Sequence, residues 1–277
     1  MLLLSEIAAN LKQGTNGIWS ARNLSKVSYP DEGNASCLGV EDTSFWFRHR
    51  NNCILEVVKS LPPATAFFDV GGGNGYVAKA LQDTGLEVVL VEPGSTGALN
   101  ARRRGVQHVI RASLEDTGFL PEILPAVGLF DVLEHVEDDR AFIRTVRNYL
   151  SPGGMVYVTV PAFEWLWSQE DVSAGHYRRY TPRSLSRVLK EAGLQVEFVT
   201  CFFGFLPIPV MFCRSLPYRL GLHRASSTPD AVCKDHEIRN PVGGRVLNFL
   251  LQRELERIKA REESSFGGSC LAVARKA

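Results

Sequence analysis

Much is missing from this chain of 277 residues, and each absence removes a class of function. Charge of one sign is absent: 31 Lys and Arg face 30 Asp and Glu, a formal net charge of +1. No broad basic field is therefore available for nucleic acid or for an anionic surface. Paired cysteines are absent too. Cys37, Cys53, Cys201, Cys213, Cys233 and Cys270 are scattered with no C-x-x-C spacing. They read as reduced packing thiols of a cytoplasmic protein, neither a disulfide framework nor a zinc knuckle. The opening M-L-L-L-S-E-I-A-A-N-L has no basic stretch and no cleavage pattern, so it does not read as a signal peptide. Repeats and low-complexity tracts are absent. The long uncharged run Phe198–Cys213 spans 16 residues and contains Pro207 and Pro209, so it makes no membrane-spanning helix.

What is present is alternation. Apolar runs near 66–70, 87–91, 106–110, 126–130, 154–160 and 195–201 read as strands, and S-C-L-A-V-A-R-K as a last one. Helical spacing falls near 75–83, 95–104, 118–124, 138–149 and 182–192. This pattern predicts an α/β fold with a mostly parallel, doubly wound sheet and helices on both faces. Leu2–Leu11 reads as a short amphipathic helix and 14–42 as irregular. A helix then runs to about Lys59 from a cap among Asp42, Thr43 and Ser44, and Pro62-Pro63 stops it. Ser226–Asn240 reads as a mobile loop and Leu247–Glu263 as a charged helix.

The stretch F-F-D-V-G-G-G-N-G, Phe67 to Gly75, organises the rest. A buried strand enters a bend almost free of Cβ atoms and leaves as a helix, so a ligand can approach the backbone and the open N–H groups of the helix start. It is not the dinucleotide fingerprint: the sixth position from Gly71 is Tyr76 where a third glycine is needed. The second strand ends in Glu92, 23 positions past Asp69, where a carboxylate can accept from both hydroxyls of a ribose. Asp69, Glu92, Ser113 and Asp131 all fall at or just past strand ends, and so converge on one sheet edge.

The acid-x-Gly-x-Gly-x-Gly of Asp69, Gly71, Gly73 and Gly75 resembles the first motif of the class I S-adenosylmethionine-dependent methyltransferases. F-D-V-L-E-H-V-E-D-D, from Phe130, and the L-S-P-G-G turn, from Leu150, are similar to later parts of the same family. The resemblance covers about Ala66–Leu194 well, the last strand fairly and 204–240 hardly at all. It implies a Rossmann-like sheet of seven strands with a final antiparallel one. It also implies S-adenosyl-L-methionine as cofactor, held by Asp69, Gly71, Gly73, Gly75 and Glu92. Ser113 and Leu114 would lie beside the adenine, and Asp131 near the methionine end.

The reacting side is expected after the fifth strand, in V-P-A-F-E-W-L-W-S-Q-E-D-V-S-A-G-H-Y-R-R-Y-T-P. Together with S-F-W-F-R-H-R-N this stretch resembles a bacterial branch of small-molecule methyltransferases. Asp171 can orient His176, a candidate base, with Tyr180 held by the following helix start; these are the catalytic candidates. Trp167, Arg178 and Arg179 are candidates for binding the acceptor, the arginines through a carboxylate or phosphate. The alternative, of equal weight, is that the His and arginines tie the loop to acids such as Glu134 and Asp131. Asp131, Glu134 and His135 have i, i+3, i+4 spacing, and some quinone-pathway O-methyltransferases hold a divalent metal at a similar acid-x-x-Glu-His. Glu134 and His135 are thus weak metal candidates, with a packed role the stronger reading.

Residues 1–65 then form an N-terminal helical or lid segment and 66–277 the catalytic domain, with 161–181 as active-site loop and 204–240 as apolar insertion or cap. Phe45, Trp46 and Phe47 serve either core or pocket. The 198–213 stretch fits a cap, a dimer surface or a shallow membrane contact, and the cap is favoured. The expected function is methyl transfer to a small or conjugated acceptor, with oxygen slightly favoured over nitrogen or carbon. The competing readings are a non-catalytic cofactor-binding scaffold and a metal-assisted O-methyltransferase. Tyr76 disfavours a dehydrogenase. The near-neutral charge and the lack of an Asn/Asp-Pro-Pro-Tyr motif disfavour a nucleic-acid substrate.

Overall fold

The computed structural model describes residues 3–23, 38–222 and 241–277. The alternating region forms five parallel strands: β3 (Ala66–Val70), β4 (Glu87–Val91), β5 (His108–Arg111), β6 (Leu124–Phe130) and β7 (Leu150–Pro161). β9 (Ser269–Lys276) runs antiparallel between β7 and β8 (Leu194–Phe202). With β1 (Leu11–Gln13) and β2 (Trp19–Ala21), the sheet has nine strands among the described residues, in the order β1-β2-β5-β4-β3-β6-β7-β9-β8.

The two strands beyond the expected seven form a hairpin, β1 (Leu11–Gln13) and β2 (Trp19–Ala21). Its loop is closed by Gly14 N–H donating to Ile18 O (2.8 Å) and by Gly17 at φ 77°. β2 lies parallel on β5, pairing Trp19 with Ile110 and covering what would be an open edge. The expected helix over Leu2–Leu11 is accordingly one turn, Leu4–Ile7. Three-residue strands are too short to show a period in sequence. The helix expected at 118–124 is absent as well. A 3₁₀ turn at Glu115–Thr117 stops at Gly118 (φ 65°), and the chain then runs beside the N-terminal turn, with Leu120 N–H donating to Ile7 O at 2.9 Å.

Every residue of β3 is buried, because helices cover both sides of the sheet. Successive side chains alternate between two cores. Phe68, Val70, Val89 and Val91 pack with Ile143, Leu185 and Leu189 on one face. Phe67, Val88 and Leu90 pack with Val57, Val77 and Ala98 on the other. Caps flagged by the sequence set where the key helices begin. Ser44 Oγ accepts from Trp46 N–H (3.1 Å) ahead of Phe45–Ser60, and Asp138 Oδ1 accepts from Ala141 N–H (2.9 Å) ahead of Asp139–Tyr149. Thr181 and Ser184 form a reciprocal box ahead of Pro182–Glu191.

The charged helix near the C-terminus runs Pro241–Lys259, and the loop expected at Ser226–Asn240 lies outside the described residues. No helix among the described residues is long and apolar enough to cross a membrane. Strand order reverses beside β3, with β4 on one side and β6 on the other, which opens a crevice at the carboxyl ends of these strands.

Candidate active site

The glycine bend fills one wall of that crevice. Gly71, Gly73 and Gly75 have φ of 71°, 53° and 75°, a region open to glycine at little cost. Close packing adds a second constraint at two of them. A Cβ on Gly71 would lie 2.7 Å from Val132 Cγ2, and one on Gly75 would lie 2.8 Å from Ala101 Cβ. Beneath the bend lies Asp69, fully buried, with neither carboxyl oxygen hydrogen-bonded within ordinary limits. Burial pushes its carboxyl up to about 7, against the partial offset of Arg50, while Glu92 adds to the rise.

Glu92 turns toward the bend. Its Oε2 accepts from Gly73 N–H at 2.9 Å and its Oε1 from Gly94 N–H at 2.7 Å. A carboxylate can accept at more than one position on each oxygen, and this one stands in the cavity wall, where the diol of a ligand could meet it. The segment before the first long helix is locked onto the same bend. Asn74 Nδ2 donates to Glu41 Oε1 (3.0 Å), Asn100 Nδ2 donates to Asn74 Oδ1 (3.0 Å), and Arg104 reaches Glu41 (2.6 Å) and Asp42 (2.9 Å). Ser113 Oγ caps the short turn after β5 by accepting from Asp116 N–H, and Leu114 is buried beside it.

Across the crevice, β6 ends in Asp131, held at φ 58° in a region costly for a residue with a side chain. Its amide donates to Thr159 O (2.9 Å), its Oδ1 accepts from Thr159 Oγ1 (3.0 Å), and its Oδ2 pairs with Arg50 Nε at 2.6 Å. Arg50, 7% exposed, comes from the N-terminal helix and leans over the Trp46 ring at 5.6 Å. The next turn, Leu133–His135, is a 3₁₀ turn rather than the α-helix needed for the expected three-donor face. Glu134 is buried with Oε2 unpartnered, and burial followed by the Asp131 charge pushes its carboxyl well up. Burial, then His176, pulls His135 down to about 4, so its imidazole is neutral near pH 7.

His176 stands edge-on to His135, ring centres 4.7 Å apart. Its Nδ1 meets Asp171 Oδ1 at 2.9 Å. Arg179 grips the same carboxylate with two bonds, Nε to Oδ1 (2.8 Å) and Nη2 to Oδ2 (2.9 Å). Burial alone would raise the Asp171 carboxyl, but the His176 and Arg179 bonds hold it below its usual range. The His176 and Arg179 side chains therefore tie to the loop's own acid, Asp171, while the loop meets Glu134 through its backbone, Tyr177 N–H donating to Glu134 O at 2.8 Å.

All of this surrounds one cavity of about 1170 Å³. Asp69, Gly71, Gly73, Glu92, Ser113, Leu114, Asp131, His176 and Arg179 are in its walls, as are Phe45, Trp46 and Phe47. Gly75 stands behind the bend against Ala101. Three expected residues lie elsewhere. Tyr180 is 2% exposed and donates to Asp139 Oδ2 (2.8 Å), its hydroxyl pushed far up by burial and by that bond. Arg178 pairs with the same Asp139 at 3.0 Å and donates to Glu137 O. Trp167 is half-buried and not in the walls. The two turned toward Asp139 because a second acid, on the helix the loop crosses, competes for them. The roof comes from Leu206, Pro209, Val210, Cys213 and Arg214.

The Methyltransferase domain family matches residues 48–198, more than half of the chain. A Xanthomonas axonopodis pv. citri protein named ubiquinone biosynthesis O-methyltransferase is 30% identical over 167 residues, 53% of this chain and 70% of its own. The chain belongs to the S-adenosylmethionine-dependent methyltransferases. This methyltransferase is also 24% identical over 178 residues to a Mycolicibacterium smegmatis protein named as a probable member, covering 63% of this chain and 69% of that one. A Thermotoga maritima structure described as a possible histamine N-methyltransferase shares the fold, with a TM-score of 0.55 at 17% identity, over 90% of this chain and all (100%) of that one. Haemonchus contortus phosphoethanolamine N-methyltransferase 2 does likewise, with a TM-score of 0.54 at 19% identity, over 91% of this chain and 58% of that one. The cofactor of the methyltransferase is S-adenosyl-L-methionine. Arg50 and Glu41, which sequence reasoning did not single out, lie before the glycine bend and gain meaning only from contacts across the fold.

Proposed function

We propose that the methyltransferase transfers a methyl group to an oxygen of an acceptor with a largely apolar body, with His176 as general base. The observation that carries this is a single cavity shared by the glycine bend with Glu92 and by the His176–Asp171–Arg179 chain. The cradle suits the cofactor: its glycines take positive φ without side chains in the ligand's way, and the Glu92 carboxylate stands in the same cavity wall. Bound there, S-adenosylmethionine supplies a methyl group already activated by a positive sulfur. Asp131 stands in the wall at that end of the cavity as an ion pair with Arg50, whose guanidinium also offers a cation to a carboxylate, and Asp69, its carboxyl raised to about 7, adds only part of a negative charge.

Asp171 accepts from Nδ1 of His176, which fixes the tautomer and leaves Nε2 as the basic nitrogen. Nε2 then takes the proton from an acceptor hydroxyl as the oxygen attacks. Such a base contributes about 10²–10⁴ in rate, and alignment of the reacting atoms roughly 7–11 kcal/mol of barrier. Phe45, Trp46, Val136, Phe142, Leu206 and Val210 make the acceptor side apolar. Its relatives' names include both O- and N-methyltransferases, so the acceptor class rests on these walls.

The test is methyl transfer from labelled cofactor to phenolic, carboxylate and amine acceptors, with His176→Ala in parallel. Phenol turnover should fall about 10²–10⁴-fold in the variant with cofactor affinity retained; unchanged turnover would remove His176 as the base. A second reading has one observation behind it. Donor atoms of Glu134, His135 and His176 lie within 4.8 Å of one another, a set able to hold a divalent cation that would acidify the acceptor hydroxyl. Metal analysis and activity after chelation separate the two: the base mechanism survives chelation, and the cation reading does not.

A further inference from the structure

The cap over the cavity has two faces of the same character. Leu206, Pro209, Val210 and Cys213 look inward and roof the cavity. Ile208, Phe212, Leu216, Leu220 and Leu222 of the same short helical segment lie open on the outside, Phe212 at 58% and Leu222 at 70% exposure. The helix Pro241–Lys259 repeats this pattern. Val246, Phe249 and Leu250 are exposed in its first half, Phe249 at 61%. The two pieces meet at a groove lined by Phe205 from the cap, Phe249 and Leu250 from the helix, and Phe266.

Charge on the cap and on the start of the helix has one sign, whereas Glu254, buried in the groove lining, and Glu256 follow in the helix's second half. Residues 203–222 carry Arg214 and Arg219, and 241–253 carry Arg245 and Arg253, with no carboxylate in either span. Glu170 neighbours Arg214 at 3.7 Å, and Arg253 lies over the Phe249 ring at 5.9 Å with its charged end at the rim of the groove. Exposed aromatic and aliphatic side chains with interleaved arginines, on a helix too polar to span a bilayer, match an interfacial contact with anionic lipid.

We propose that this face, cap plus the first half of the 241–259 helix, docks on an anionic lipid surface. The docked cap would set the roof of the cavity against the apolar phase, so an amphiphilic acceptor dissolved there could enter beneath it. That last step rests on the acceptor reading above; docking itself does not.

The experiment is co-sedimentation of the full chain, with cofactor present, on phosphatidylcholine vesicles and on vesicles half phosphatidylglycerol. Two variants accompany it, Phe212→Glu with Phe249→Glu, and Arg245→Glu with Arg253→Glu. Binding should appear with the anionic vesicles and weaken in high salt. Each variant should lower the bound fraction by about tenfold or more. All four positions are exposed, and retained cofactor binding by calorimetry identifies a variant that has folded. No sedimentation of the wild type on anionic vesicles would overturn the proposal. So would equal sedimentation of a folded variant, or a wild-type dimer by light scattering that the Phe212→Glu/Phe249→Glu chain loses without any vesicle binding. Failure of His176→Ala to change turnover leaves this result untouched, so the two ideas fail separately.

Discussion

Replacing Glu92 with Gln changes one atom and tests the cofactor side of the cavity directly. Glu92 now accepts from Gly73 N–H through one oxygen and from Gly94 N–H through the other. Glutamine keeps a single acceptor oxygen, so one of these two donors faces an NH₂ group and loses its bond. A hydrogen bond to a charged group contributes about 1.5–3 kcal/mol. The diol of a bound ribose would lose a charged acceptor of the same kind, so the cofactor should bind weaker by about 1.5–3 kcal/mol, roughly 10- to 150-fold in Kd. Calorimetric titration with S-adenosylmethionine and with its demethylated product measures this, and circular dichroism checks that the fold persists. Product and cofactor should weaken together, because the ribose is common to both. A Kd within threefold of wild type, in a folded variant, would refute the idea that Glu92 grips the ligand. A loss confined to the cofactor would also refute it, because the effect would then follow the sulfonium charge.

Gly75→Ala should destabilise the chain by about 2–5 kcal/mol, the sum of a left-handed backbone and overpacking against Ala101. Gly85→Ala, also at positive φ but with nothing within 4 Å of its Cβ, should cost only about 1–2 kcal/mol; urea midpoints compare them. Asp171→Asn leaves Arg179 without its buried charge partner and His176 without its tautomer lock. It should lower stability by about 3 kcal/mol and kcat by about 10²-fold, with KM for the cofactor little changed. His135 has its pKa lowered from 6.5 to about 4, so between these values the unfolded chain binds the extra proton. Its contribution to stability is full above pH 6.5 and is lost as pH falls toward 4. Asp69 and Glu134, both raised, act in the opposite sense and are common to wild type and variant. His135→Asn should therefore gain stability relative to wild type as pH drops from 7 to about 4.5; parallel unfolding curves would count against it.

The glycine bend was legible because its chemistry is local. A buried strand, a run of missing Cβ atoms and an acid one strand further on can all be read from neighbouring letters, and Glu92 does turn to Gly73. Strand ends were legible for the same reason. Contacts that depend on crossings were not. Arg50 is an ordinary helical arginine until β6 brings Asp131 to 2.6 Å from it. Arg178, Arg179 and Tyr180 are consecutive and look equivalent in sequence, yet Arg179 turns to Asp171 while its neighbours turn to Asp139. The hairpin at 11–21 and the extended path after Gly118 were missed together. Neither has a period of its own: the hairpin is held by β5 through Trp19 and Ser20, and the path after Gly118 by the turn ahead of the hairpin, Ala9 N–H donating to Gly118 O at 2.9 Å.

The antiparallel insertion of β9 sets an order of assembly. Among the described residues β8 pairs with the sheet only through β9, which is made some 66 residues later, after the cap and the 241–259 helix. During synthesis on the ribosome β8 must wait without a partner strand, while the seven strands from β1 to β7 can already pair. The cap, rich in exposed apolar side chains, follows directly on this unpaired strand, and a chaperone that shields it during that interval would act on the same side chains that face outward in the finished molecule.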